Sequence, residues 1–411
     1  MGKKRDRRLT SGSGRHKGRT ESPAQRQKPL HKDHRLLYLF IIFFIICSSV
    51  SVLLYRTKFI SSRTANPNPK FLNLYQRGLV KDDINYQEIL TEHSKVSESA
   101  SLRQFPNPVL AYSTPWNNRG YYLAKSFNSK FTHLSPIWYD LKRKHNADVK
   151  WIQELRRSGD AKVLPRVALE ASPKELLKKK KQREKAIDLI VAECKEMGYD
   201  GIVLESWSRW IAYGVLHNSD MRSKVLLFIR EPGRALHSIQ SERNAKQLLE
   251  FLYVIGRPHS AKLQADDFGP EDLQSSSDAV DGFSLMTYDF SSPHNPGPNA
   301  PLEWIKAVLQ LLTMTKGNGN LAHKIFLAAV GGAIIGRDYL SLLAKHRPAL
   351  QWEKRSGEHY FFYLDDENIK HAVFYPSLMS ISMRLEEAKS WGAGISIWEI
   401  GQGLDNFFDL L

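Results

Sequence analysis

Beyond Pro106 the chain alternates apolar runs of strand length with longer charged stretches of helical period. The strand-like runs are VLAYSTPW (109–116), FTHLSPIWY (131–139), AKVLPRVAL (161–169), GIVLESW (201–207), FLYVIG (251–256), GFSLMTYDF (282–290), KIFLAAVGGA (324–333) and GISIWEI (394–400). Helix-like stretches lie between most of them, such as PKELLKKKKQREKAIDLIVAECKEMG before the fourth and PLEWIKAVLQLLTMTKG before the seventh. Continuous apolar strands separated by helices predict a parallel sheet covered on its outside. Eight such units in roughly 300 residues predict an α/β fold of the (β/α)8 TIM-barrel type, with insertions, rather than an open doubly wound sheet. The longest gap, about 337–392, falls between the seventh and eighth runs and holds YFFYL and HAVFYP. It predicts a small inserted β-rich subdomain beside the barrel mouth.

The first 105 residues follow another pattern. Residues 1–35 carry twelve Lys and Arg against Asp6, Glu21 and Asp33, a local +9 out of the chain's +16. Leu36 to Tyr55 then run for twenty residues without a charge, long enough at about 1.5 Å per residue to cross a hydrocarbon core of about 30 Å. This predicts a single transmembrane signal anchor with a basic cytosolic tail, by the excess of positive charge on one side. Cleavage after Cys47 or Ser49 is the alternative, which would release a secreted or lysosomal protein. The basic tail is thereby explained without nucleic acid. Residues 56–105 hold TANPNPK, SESAS and FPNP and read as a stem. The domains expected are therefore a tail (1–35), an anchor (36–55), a stem (56–105) and a barrel (106–411). On this reading the barrel is lumenal, in the endomembrane system or at the cell surface. Cys47 and Cys194 are the chain's two cysteines, and with one of them in the anchor the barrel must hold itself together by its core.

In a barrel of this kind the chemistry sits at the carboxyl ends of the strands. The residues there are Trp116 and Asn117, Trp138 and Tyr139, Glu205 to Trp207, Tyr288 and Asp289, and Trp398 and Glu399. Aromatics mixed with a few carboxylates and amides suit carbohydrate, since flat rings pack on the C–H faces of sugars while polar groups take the hydroxyls. The histidines show no metal-ligand spacing, Gly331-Gly332 lacks the Lys and hydroxyl residue of a phosphate loop, and Gly-x-Ser-x-Gly is missing. No metal and no cofactor are expected.

Three of these strand ends carry a resemblance. Asp200-Gly201-Ile202-Val203-Leu204-Glu205-Ser206-Trp207, Met286-Thr287-Tyr288-Asp289 and Ile397-Trp398-Glu399 resemble the signature strands of the glycoside hydrolase family 18 chitinases. The resemblance implies a barrel that binds N-acetylglucosamine oligosaccharides, with Tyr288 and Asp289 on the N-acetyl sugar and Trp398 as the floor of the pocket. It also implies a loss. The family's fourth strand reads D-G-x-D-x-D-x-E and ends on the general acid; laid on this sequence, that acid falls on Trp207 and the acidic residue before it on Glu205. Two residues along a strand are about 6.6 Å apart, so Glu205 stands one pleat too deep to reach a leaving oxygen within hydrogen-bond distance.

The expectation is a membrane-anchored, chitinase-like binding protein with no catalytic residue, contacting sugar through Trp116, Glu205, Trp207, Tyr288, Asp289 and Trp398. Glu205 should find a polar partner, with Tyr288 the candidate. The rivals are a hydrolase whose acid has moved to Glu399 or Asp289, and a secretory-pathway scaffold with a vestigial cleft and a protein partner.

Overall fold

The computed structural model describes residues 73–411 apart from 98–100, 141–142, 145–146, 170–171, 257–262, 293, 314–320 and 331–333, and, before these, Phe43 and Ile46 alone. The compact unit runs from Pro67 to Leu411. The tail, the anchor segment 36–55 and the start of the stem lie outside the described residues, apart from Phe43 and Ile46, which are helical. Among the described residues no helix is long and apolar enough to cross a membrane.

Eight parallel strands close into a barrel: β1 (Val109–Ser113), β2 (His133–Asp140), β3 (Arg166–Ala168), β4 (Gly201–Glu205), β5 (Glu250–Ile255), β6 (Gly282–Leu285), β7 (Ile325–Val330) and β8 (Gly394–Ile397). Each pairs with its neighbour in sequence order, and β8 pairs with β1 to close the ring. The (β/α)8 expectation is met at all eight positions. The third apolar run is broken into Lys162–Val163 and β3, with Leu164-Pro165 between the pieces, because Pro165 has no N–H to give to a ladder. Helices Lys180–Met197, Ser219–Leu236, Leu302–Thr313 and Leu378–Trp391 belong to the outer layer.

Alternation along each strand divides the core in two. Leu110, Tyr112, Leu164, Val203, Leu252, Val254 and Phe326 fill the lumen, with Met286 and Trp398 packed against them. Their strand neighbours, among them Val109, Ala111, Ile202, Leu204, Tyr253 and Ile255, face the helices. Strands β1, β4, β5 and β7 thus carry apolar side chains on both faces, which is why the sequence there shows runs rather than alternation. At the foot of β4, Gly201 sits at φ +148°, where a Cβ would meet the Glu250 carbonyl oxygen, so only glycine fits.

The expected insertion is present as a three-stranded antiparallel sheet, Gln351–Glu353, Glu358–Leu364 and Lys370–Tyr375, between helices Gly336–His346 and Leu378–Trp391. Its anchor is the ion pair of Glu358 and Arg384, 2.9 Å apart and almost fully buried. Glu358 also accepts from Asn299 N (2.7 Å) and Ala300 N (2.8 Å) on the segment after β6.

The described part of the expected stem is not a loose spacer. Leu74, Leu79, Ile84, Ile89 and Phe105 are buried in the outer core. Helix Tyr86–Glu92, capped by Asn85, lies between them. Ser97 N–H donates to Asp409, Asn406 N–H to the His93 carbonyl and Gln104 N–H to the Leu411 carbonyl. Widely spaced Leu and Ile in a polar stretch read as a spacer in sequence, yet here each finds its own slot.

Candidate functional site

The carboxyl end of the lumen is built from β1, β3, β4, β6 and β8. Glu205, the last residue of β4, points inward in the alternation that begins with Val203. Its partner is Arg166 of β3, whose Nε donates to Glu205 Oε2 at 2.5 Å. The register explains the pairing. Arg166 lies beside Val203 and Ala168 beside Glu205, so the two long side chains are diagonal neighbours on the lumen face, within reach of each other. The guanidinium carbon of Arg166 lies 5.7 Å from the centroid of the Trp398 ring, a cation–π distance. Trp398 in turn packs on Tyr112 with centroids 5.2 Å apart, and Tyr112 donates to Ser284 Oγ at 2.9 Å. Burial works against the Arg166 cation, but Glu205 outweighs it and keeps the guanidinium firmly charged. Tyr288 is not the bonded partner expected for Glu205. It feels that charge through space: burial first, then Glu205, Tyr112 and Asp289, push its phenol far above the ordinary range, so it stays protonated.

Tyr288 and Asp289 follow β6, where the chain leaves the extended conformation. Asp289 adopts φ +55°, a left-handed geometry that Asp tolerates better than most residues. Its N–H donates to Asn299 Oδ1 at 3.2 Å, and the Asn299 N–H is held by Glu358. The buried ion pair of the insertion thus reaches the mouth through one asparagine. A small pocket beside Tyr288 is lined also by Ala328, Ala329, Glu358 and Arg384.

Trp207 overturns an expectation. It is 1% exposed and lies in the outer core rather than the cleft. Its Nε1 donates to the Asp266 carbonyl at 3.0 Å, its ring meets Phe268 edge-on at 4.8 Å, and Arg222 covers its face at 5.2 Å. The cause is local. Strand β4 ends at Glu205, Ser206 takes φ −151° and ψ −25°, and a short helix begins at Trp207. Two-residue alternation no longer governs the direction of the side chain, and the indole swings outward. The binding role expected of Trp207 is withdrawn. Trp138 also faces outward, 2% exposed, donating to Tyr121 Oη at 2.5 Å. Trp116 stands on the turn after β1, 73% exposed. It is at the rim and not on the lumen floor.

Glu399 is fully buried. It accepts from Asn117 Nδ2 (2.8 Å to Oε2) and Gly401 N (2.7 Å to Oε1). Burial pushes its carboxyl above the usual carboxylate range, against these hydrogen bonds and the charge of Arg119. The site therefore brings together Glu205, Tyr288 and Trp398 with Asp289 at its edge. It adds Arg166 and Tyr112, which sequence reasoning missed. The signal for Arg166 was present: a charge inside an apolar strand run, near its carboxyl end.

The model of "Glycosyl hydrolases family 18" matches residues 109–403, and the chain belongs to that family. In Bacillus subtilis (strain 168) it is similar to a protein described as "Uncharacterized glycosylase YvbX", 24% identical over 245 residues, which are 57% of this chain and 66% of the relative. The chain thus spans just under two thirds of that relative's length. Among solved structures, the fold resembles a chitinase from Chromobacterium violaceum (TM-score 0.61, 19% identity, 74% of this chain and 97% of the other). It also resembles a family 18 chitinase from Cycas revoluta in complex with (GlcNAc)3 (TM-score 0.59, 13% identity, 74% and 97%).

Proposed function

We propose that the chain is a chitinase-like carbohydrate-binding protein that holds N-acetylglucosamine oligosaccharides at the carboxyl end of the barrel without cleaving them. One observation carries this reading: the lumen carboxylate of β4, Glu205, is turned onto Arg166, whose Nε donates to it, and so is engaged in an ion pair within the floor rather than aimed at a bound sugar. The next lumen position along the chain is lost, because Trp207 turns outward. Glu399 is fully buried, with its two carboxylate oxygens taken by Asn117 and Gly401, which argues against it as a relocated acid.

Asp289, exposed at the end of β6, is the acid on which a hydrolytic reading would have to rest. In the same proposal Leu36–Tyr55 anchors the chain in an endomembrane or cell-surface bilayer, with the basic tail cytosolic and the barrel lumenal. The support is the uncharged length of that segment and the charge that precedes it.

The test is to incubate the full chain with chitotetraose beside a catalytically intact family 18 enzyme, measuring both binding and cleavage. The expected result is saturable binding without turnover, with Trp398→Ala weakening binding by about 1–3 kcal/mol for a lost stacking contact. Turnover at a rate comparable to the control, abolished by Asp289→Asn, would establish the hydrolase instead.

A further inference from the structure

The surplus charge of the chain is gathered in two places. The tail, residues 1–35, holds +9 of the +16, and residues 174–185 hold seven Lys and Arg against Glu175 and Glu184, a local +5. All the rest of the chain is left with +2. The second cluster lies in the segment between β3 and β4. It takes in most of a short helix, Pro173–Lys178, and the start of the next, Lys180–Met197, with Lys179 extended between them. The apolar feet of both helices, Leu176, Leu177, Ala186 and Ile190, are buried in the outer core. The lysines therefore stand on the free side, all six of them exposed.

A solvated helix face ordinarily intersperses the two signs. Here Lys179 and Lys180 pair with Glu175 and Glu184, while Lys174, Lys178, Lys181 and Lys185 make no ion pair or hydrogen bond among the described residues. Those four form two like-charged pairs at i,i+4 spacing, Lys174 with Lys178 and Lys181 with Lys185. Such neighbours lie about 5–6 Å apart at Cβ and repel, so the arrangement works against the helices that carry it. The seventh cation has another role. Arg183 donates to the Leu177 carbonyl at 2.9 Å and to Glu231 at 3.2 Å, tying the two helices to each other and to Ser219–Leu236. The surface under the free ammonium groups is thus fixed before anything binds.

We propose that this face is a second binding site, for an acidic polysaccharide whose rings carry sulfate or carboxylate groups. The site draws on none of the residues of the mouth and does not depend on the function proposed for it. Lysine ammonium groups are hydrated point charges on flexible stems, which suits anions strung along a chain better than one planar group. Residues 172–190 contain no aromatic side chain on which a nucleic-acid base could stack. Leu189 alone among them is large, apolar and exposed, too little to seat a helix in a membrane interface. What remains is charge recognition, and a polyanion relieves the repulsion between the lysines as it binds.

The experiment maps lysine acetylation on the full chain by mass spectrometry, alone and with a heparin octasaccharide, a hyaluronan octasaccharide, phosphatidylserine vesicles or a DNA duplex. The two octasaccharides separate sulfate from carboxylate as the anion recognised. At least one of them should protect Lys174, Lys178, Lys181 and Lys185 while leaving Lys150 and Lys354, exposed elsewhere, open to the reagent. A variant combining Lys174→Gln, Lys178→Gln, Lys181→Gln and Lys185→Gln keeps Lys179 and Lys180 as reporters. The octasaccharide concentration that half-protects these two should rise by about 10–100-fold, as for the loss of four exposed ion pairs, with the midpoint at the tail lysines unchanged. Protection confined to the lysines of residues 1–35, or equal at Lys150 and Lys354, would overturn the proposal. So would protection of the cluster by the vesicles or the duplex but by neither octasaccharide, which would make the face a membrane or nucleic-acid contact. None of these outcomes bears on chitotetraose binding at the mouth, which is measured separately.

Discussion

Replacing Glu358 with glutamine tests how far the inserted sheet controls the mouth. The side chain keeps its size but loses its charge, and Arg384 is left as a buried cation without a counter-charge. Removing one member of a buried pair costs about 3–5 kcal/mol. Here the lower end is expected, because Arg384 also donates to the carbonyls of Ala300, Ser356, Gly357 and Ser380, all of which remain. A loss of about 3 kcal/mol corresponds to a fall in Tm of about 6–12 °C, readable by circular dichroism. The consequence reaches further than stability. Glu358 holds Asn299 N, and Asn299 Oδ1 accepts from Asp289 N, so chitotetraose binding should weaken in the folded variant as Tyr288 and Asp289 lose their support. A Tm within about 2 °C of wild type, with unchanged sugar affinity, would refute both the energetic and the positioning arguments.

Two further outcomes rest on burial and charge. Trp207→Ala should cost about 3–5 kcal/mol of stability, since the indole is 1% exposed, yet leave the sugar affinity of the folded fraction unchanged; urea unfolding with parallel binding measurements checks this. At the foot of the barrel, burial raises Glu250 but hydrogen bonding and charge from His133 and then Lys162 outweigh it, holding its carboxyl down at about 2. A depressed carboxylate contributes stability above its unfolded value of about 4.3, lost as pH falls toward 2. Glu250→Gln should therefore flatten the acid limb of a pH–stability profile between about 5 and 2, and an unaltered limb would show that the cluster does not matter.

The barrel was legible because parallel strands buried on two sides leave continuous apolar runs, and all eight of these runs became strands. The ends of the strands were not legible. Counting from Val203 to Glu205 to Trp207 assumes that alternation continues, whereas the chain turns into a helix after Glu205, a change of backbone that the residue pattern GIVLESW does not announce. The partner of Glu205 was missed for a related reason: it depends on the β3–β4 register, which sets Arg166 diagonally across, and register is a property of the closed sheet. The segment 73–105 misled because its apolar residues are sparse, and what buries them comes from the far end of the sequence.

That last arrangement has a practical side. Leu79, Ile84 and Ile89 share one apolar seam with Tyr339, Leu378, Leu404 and Phe407. A fragment trimmed to the family match would strip the lining from that seam and leave a greasy trough on its outside. Whoever expresses the barrel alone should keep everything from Asn73 onward, since that segment covers the seam.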